Sequence, residues 1–137
     1  MEEIVITSDS TCDLSESQLK ENDIRIMPLS VILGEKTYKD GIDIQPSDIF
    51  RYFDDTGNLP KTAAPSVAEY EEFFRPFVDS GKTVIHFNIS SKASGSHGFA
   101  QTASKSFGGK VYVVDSHALS TGQGLLVMKA CDLRAEG

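Results

Sequence analysis

Tryptophan is missing from the 137 residues, cysteine occurs twice and proline five times. Cys12 and Cys131 have no second cysteine at metal or redox spacing, so they read as reduced thiols of a cytosolic protein. The three histidines make no ligand pattern with a cysteine or with each other, so neither a metal nor another cofactor is expected. No apolar run approaches the ~20 residues that span a bilayer. Met1-Glu2-Glu3 is acidic and leads directly into a strand-like run, which argues against a signal peptide. Basic residues are also scarce, 13 against 20 acidic, for a net charge of -7. A surface of that sign repels phosphate backbones, so nucleic acid is not an expected partner, and the charge serves solubility.

What remains is ordinary globular material. The 39% apolar content lies far from the regime of disorder, and the length suits a single domain. Ile4-Val5-Ile6, Val84–Ile89 and Val111–Val114 are apolar runs of buried-strand length. Ile24–Leu33 is strand-like but interrupted by Pro28, which places the proline at an edge, bend or strand end. Gly34–Gly41 reads as a polar, turn-rich connection.

Helices fall between these runs. Ser15 with Gln18, and Ser66 with Glu69, have capping-box spacing. Pro46-Ser47-Asp48 starts a helix carrying Ile49, Phe50 and Phe53 on one side, ended by Gly57–Pro60. Val67, Tyr70, Phe74 and Phe77 form one apolar stripe, with Pro76 at a kink or in the last turn. Phe99, Ala103 and Phe107 define another helix, stopped by Gly108-Gly109, and 122–134 reads as a last one carrying Leu125, Leu126 and Val127. Phe73, Phe74 and Phe77 are assigned to the core, and His86, inside an apolar strand, to a packed and hydrogen-bonded position. Strands alternating with helices predict an α/β fold, a three-layer α/β/α sandwich around a mainly parallel sheet with right-handed crossovers.

In such a sheet ligands bind at the carboxyl ends of the strands. Three runs end in polar groups there: Thr7–Thr11, Asn88–Ser91 and Asp115-Ser116. Ser90–Ser96, with four serines and a glycine, joins a strand to a helix, and the free N–H groups of a helix start suit an anion. Gly95 would let a ligand approach the backbone, and Ser94 could add a hydroxyl. Capping of the following helices explains each loop separately.

Asp9-Ser10-Thr11-Cys12-Asp13-Leu14 resembles the D-S-T-x-D-L signature of the DegV family. Met27-Pro28-Leu29 resembles its V-P-L strand, Tyr38-Lys39-Asp40 its Y-x-D, and Lys61–Ser66 its T-S-Q-P-S loop. Ile89–Ser96 resembles I-S-S-x-L-S-G-T, and Val114-Asp115-Ser116 with Gly122 and Gly124 resembles V-x-D-S…G-x-G. The pieces occur in order along the whole chain. The resemblance implies a protein that encloses a long-chain fatty acid and presents it to a fatty acid kinase, which makes an acyl phosphate for phospholipid synthesis. It implies a carrier without catalytic residues of its own, with Thr62, Ser94 and Gly95 at the fatty-acid carboxylate. Ser10, Thr11, Ser91, Ser96, Asp115 and Ser116 would support them. Residues 1–137 correspond to the family's N-terminal domain. Relatives continue into a second domain that forms another wall of the lipid tunnel, so the chain reads as one domain of a larger protein or as a protein cut short.

Ala63-Ala64 stand where the family has S-Q, Ala93 where it has leucine, and Ser96-His97-Gly98 where it has T-Y-Q. Two other readings stay open. A binder of a phosphorylated small molecule, nucleotide or phosphosugar, could use Gly122-Gln123-Gly124, although Val127 replaces the third glycine of the dinucleotide fingerprint and no Walker loop exists. A serine hydrolase could use Asp115-Ser116-His117 or Ser96-His97, but adjacent strand residues point to opposite faces and no G-x-S-x-G elbow is present.

Overall fold

In the computed structural model, which describes residues 2–137, side-chain alternation along the strands sorts the core into two layers. Met1, the first residue of the acidic N-terminus, lies outside the described residues. Strands β1 (Ile4–Asp9), β2 (Ile24–Met27), β6 (Thr83–Asn88) and β7 (Val111–Asp115) form a wholly parallel sheet of order β2-β1-β6-β7. Ile4, Ile6, Ile24, Ile85 and Phe87 face one side. They pack with Val127 and Cys131 of α5 (Ser120–Glu136) and with Leu19 of α1 (Glu16–Glu21). Met27, Val84 and Val111 face the other side, against Tyr70 and Phe74 of α3 (Val67–Asp79) and Ala100 and Ala103 of α4 (Ser96–Ser104). The result is the three-layer α/β/α sandwich.

Local chemistry sets the helix starts. Ser15 and Ser66 each cap through a complete capping box with Gln18 and Glu69. Each box satisfies two N–H groups that a helix start would otherwise leave free. Pro76 sits in the last turn of α3, close enough to the end that the helix runs on to Asp79.

The segment from Pro28 to Ala63 departs from expectation. Pro28 lies between two separate strands. After it the chain leaves the parallel sheet and builds a second one, antiparallel, of order β4-β3-β5. Its strands are β3 (Ser30–Leu33), β4 (Lys36–Lys39) and β5 (Lys61–Ala63), so the supposed polar connection 34–41 contains a hairpin strand. Gly34, at φ +62°, makes the turn, a conformation that costs glycine no Cβ clash.

Three apolar stripes are also corrected. Helix α2 (Pro46–Thr56) buries no residue, and Phe50 is 68% exposed. In α4 the sheet-facing line runs through Ser96, Ala100 and Ala103 to Phe107 in the turn beyond, leaving Phe99 outside. In α5, which begins at Ser120, the buried line is Gln123, Gly124, Val127 and Cys131, and Leu125 and Leu126 point outward. A stripe shows which residues share a helix face. It does not show whether a neighbour covers that face.

Candidate functional site

Strand order decides where a ligand can enter. The chain moves from β1 to β2 on one side and returns at β6 on the other, so the topological switch point lies between the carboxyl ends of β1 and β6. These strands deliver Asp9 and Asn88 to neighbouring positions, and the loops beyond are tied together. The Ser90 N–H donates to the Ala118 carbonyl at 3.0 Å, and the Ser116 N–H to the Asn88 carbonyl at 3.2 Å. The expected gathering of the three strand ends is therefore present.

Beneath that edge lies a polar cluster. Asp9, His86, Asn88 and Thr7 are fully buried on the α3 side. Asp9 accepts from the Tyr70 hydroxyl at 2.7 Å, the Asn88 amide at 2.8 Å, His86 Nε2 at 3.2 Å and the Ile89 N–H at 3.4 Å. Burial pushes the Asp9 carboxyl up, but its hydrogen bonds with His86, Tyr70 and Asn88 outweigh burial and hold it below the usual range. Burial, then the Asp9 charge, push the Tyr70 hydroxyl far up, so it remains a donor. His86 Nδ1 lies 2.8 Å from Thr7 Oγ1, confirming His86 as a packed, hydrogen-bonded histidine. Thr7, His86 and Asp9 thus line up like a hydrolytic triad, but a hydroxyl with no exposed surface cannot reach a substrate. None of these contacts is visible in local spacing, because they depend on the β1–β6 register, which sets Thr7 against His86, and on α3 crossing above it.

The predicted site residues separate into those that face open space and those that fasten loops. A groove of about 320 Å³ opens between the parallel edge and the small sheet. Leu29, Val31, Ile49, Ile89 and Leu119 form its apolar wall, and Thr62, Thr11, Ser120, Asp13 and Asp40 its polar part. Thr62 sits in β5 opposite Val31 and is exposed. Thr11 also donates to the buried Gln123 Oε1 at 2.9 Å, and Gln123 in turn donates to Ser8 Oγ at 3.0 Å.

Ser94 and Gly95 lie on the loop that continues from Ile89 and do not line the groove. Ser94 Oγ is 3.0 Å from the buried Ser96 Oγ and accepts from the Ser96 N–H at 3.1 Å. Gly95 has ordinary helical dihedrals, and a Cβ there would meet the Phe99 ring at 3.2 Å. Its lack of a side chain makes room for Phe99.

The other candidates act as fasteners. Ser10 Oγ accepts from the Leu29 N–H at 3.1 Å. Asp115 accepts from the Ser91 N–H at 3.1 Å and the His117 N–H at 3.0 Å. Hydrogen bonding from Ser91, followed by His117, pulls the Asp115 carboxyl down to about 2. Ser116 Oγ donates to the Ala118 carbonyl at 3.2 Å, away from the exposed His117. Gly124 has a packing reason of its own, since a Cβ there would stand 2.7 Å from the Cys12 carbonyl oxygen.

A larger hollow, about 960 Å³, lies between the start of β1, β6 and the end of α5, and no predicted site residue lines it. Among the described residues no group of acidic, histidine or cysteine side chains is arranged to hold a metal ion, and no helix is long and apolar enough to cross a membrane.

A model of the DegV family, described as uncharacterised protein, matches residues 3–137. The chain belongs to the DegV family. It is 36% identical over its whole length to a DegV domain-containing protein of Clostridium acetobutylicum, spanning 50% of that protein. Among solved structures, it superposes on a DegV family protein from Thermus thermophilus, described for its fatty acid binding, with a TM-score of 0.91 at 33% identity. That match covers 98% of this chain and 48% of the other. A stearic acid-binding protein from Eubacterium ventriosum gives 0.90 at 36% identity, covering 100% and 48%. The chain thus spans about half the length of these relatives.

Proposed function

We propose that this chain forms the head-group half of a fatty-acid carrier. The observation that carries the reading is the groove at the switch point, with an apolar wall and with Thr62, Thr11 and Ser120 among its polar lining. The fatty-acid-binding Thermus and Eubacterium proteins share this fold over the whole chain, which supports the same ligand class. At about 320 Å³ the groove lies at the small end of ligand pockets and suits a head group with the first part of a tail. A tail of about sixteen carbons contributes roughly 11 kcal/mol gross when fully enclosed, so affinity depends on apolar cover beyond this groove.

The carboxylate end is assigned to Thr62 and to the Ser94–Gly95 loop at the start of α4. For Ser94 to donate to a ligand, Ser96 must donate to Ser94, which the 3.0 Å spacing of the hydroxyls permits. A phosphorylated ligand fits less well. Asp13 and Asp40 are the charged residues of the groove lining, and a dianion beside two carboxylates is repelled more strongly than a monoanion. The carrier role places the acid at the open strand edge, where a separate fatty acid kinase could reach the carboxylate. That step rests on the family resemblance, as does a cytoplasmic location, with which the free cysteines agree.

The test is titration with oleate by calorimetry. Thr62→Ala and Ser94→Ala are each expected to weaken binding by about 1–3 kcal/mol, the range for a hydrogen bond to a charged group. Parent affinity in the double substitution would remove the assignment, and failure of the protein to take up any fatty acid would remove the function.

A further inference from the structure

Thr62 and the Ser94 loop stand on different bodies. Thr62 belongs to the small antiparallel sheet. The Ser94 loop extends from β6, an inner strand of the parallel sheet. Among the described residues no backbone ladder joins the two sheets. Leu29 and Val31 are buried and help hold the small lobe in place, but apolar packing is non-directional and does not fix a spacing between hydroxyls.

Directional ties come from two points. Ser10, immediately after β1, accepts the Leu29 N–H at 3.1 Å, and two residues later Val31 pairs with Thr62. At the end of β4, Lys39 Nζ donates to Glu69 Oε1 at 2.7 Å, and the Ser66 N–H at the start of α3 holds the other Glu69 oxygen at 2.8 Å. On the sandwich side, the neighbouring Asp9 holds the Ile89 N–H, where the loop to Ser94 begins. Two consecutive residues at the end of β1 therefore reach the two arms of the site.

We propose that Ser10 and the Lys39–Glu69 pair are positioning residues that set the span between Thr62 and the Ser94 loop, and with it the fit of a carboxylate between them. This deepens the fatty-acid reading of the same groove and rests on it. The ties touch no ligand. Their effect on binding is carried by the position of the lobe.

The experiment has two arms. In the first, nitroxide labels at Lys61→Cys and Lys92→Cys report the gap in ligand-free protein by electron double resonance. The native thiols are buried, so labelling favours the introduced ones. Ser10→Ala combined with Glu69→Gln is expected to broaden the distance distribution, and Ser10→Thr, which keeps the acceptor oxygen, to restore most of it when it replaces Ser10→Ala. In the second, calorimetry compares oleate with oleyl alcohol. The double variant is expected to lose about tenfold of the preference for the acid, with much less change for the alcohol, because only the carboxylate depends on paired donors. An unchanged distance distribution overturns the proposal, as does a broadened one with an unchanged acid-to-alcohol ratio. If no form, wild type included, takes up oleate, the fatty-acid reading falls and takes the head-group role with it. The label distances then still decide whether these residues hold the lobe.

Discussion

The parallel sandwich and the small lobe, residues 28–63, come from one chain but are stabilised differently. The sandwich buries helices on both sheet faces and fills its centre with Tyr70, Phe74, Ile6 and a polar cluster hydrogen-bonded around Asp9. The lobe has strands of three or four residues and a helix, α2, with no buried residue. Ile42, Phe50, Phe53 and Leu59 are exposed on it. Apolar burial and the hydrogen bonds that converge on Asp9 make the sandwich a rigid platform. The lobe, with little of either, depends on a few contacts for its position, and low local burial marks segments that open at small free-energy cost. The candidate site lies where the two meet, with a fixed wall on one side and an adjustable wall on the other.

The largest expected break in that contrast is at Asp9. Asp9→Ala removes an acceptor that serves Tyr70, Asn88, His86 and the Ile89 N–H, and leaves the buried Tyr70 hydroxyl and His86 Nε2 without that acceptor. The expected destabilisation is about 3–5 kcal/mol, the cost of removing one member of a buried charged network. Urea unfolding followed by circular dichroism measures it. Phe50→Ser in the lobe serves as the control and is expected to stay within about 0.5 kcal/mol. A loss below ~1 kcal/mol for Asp9→Ala would mean that the cluster contributes little to the sandwich.

Next in size is Gly124→Ala. Alanine normally favours a helix by about 1 kcal/mol over glycine. Here the added Cβ would fall 2.7 Å from the Cys12 carbonyl oxygen and 3.1 Å from the Leu14 side chain, and the backbone atom cannot swing aside. Overpacking of this kind costs about 1–3 kcal/mol, so the substitution is expected to destabilise despite the helix propensity. Gly98→Ala in α4, with open space around the new Cβ, should be neutral or stabilising. A stabilised Gly124→Ala in the same unfolding assay would show that α5 can move away from the turn after β1.

Much of the sandwich was legible in the sequence because its signals are local. Short apolar runs, capping boxes at Ser15 and Ser66, and a stripe through Tyr70 and Phe74 each lie within about a dozen residues. The small sheet was not legible. Its pairing of Val31 with Thr62 spans a long loop, and its short, partly polar strands lack clear alternation. At the site, the meeting of the strand-end loops was legible, because parallel topology alone brings strand ends to one edge, whereas Thr62, in the antiparallel sheet, was reached only through the family resemblance. The division of labour among Ser10, Ser91, Asp115 and Ser116 was hidden, since a serine or aspartate that fastens a loop has the same local sequence as one that faces a ligand.

The smallest effect concerns acid. Asp9 and Glu69 both have depressed carboxyl pKa values, Glu69 down to about 2 from an ordinary 4.5 through Lys39 first and the Ser66 backbone next. A depressed carboxyl stabilises the fold above its unfolded pKa, and that contribution disappears as pH falls through the folded value. For Glu69 the window is therefore from about 4.5 down to about 2. Its side chain is 39% exposed and that of Lys39 35%, so solvent screening reduces the worth of the pair to well under ~1 kcal/mol. Asp9 is fully buried and accepts four hydrogen bonds, so its protonation affects the sandwich itself. Two probes should separate the events. Hydrogen exchange at β3–β5 amides should speed up as pH falls below about 4.5, after correction for intrinsic rates, while β1 and β6 amides stay protected until Asp9 is titrated. Glu69→Gln should abolish the early change in the lobe and leave the later one in the sandwich. Simultaneous loss of protection in both sheets, in wild type and in Glu69→Gln alike, would show that the lobe and the sandwich open as one cooperative unit.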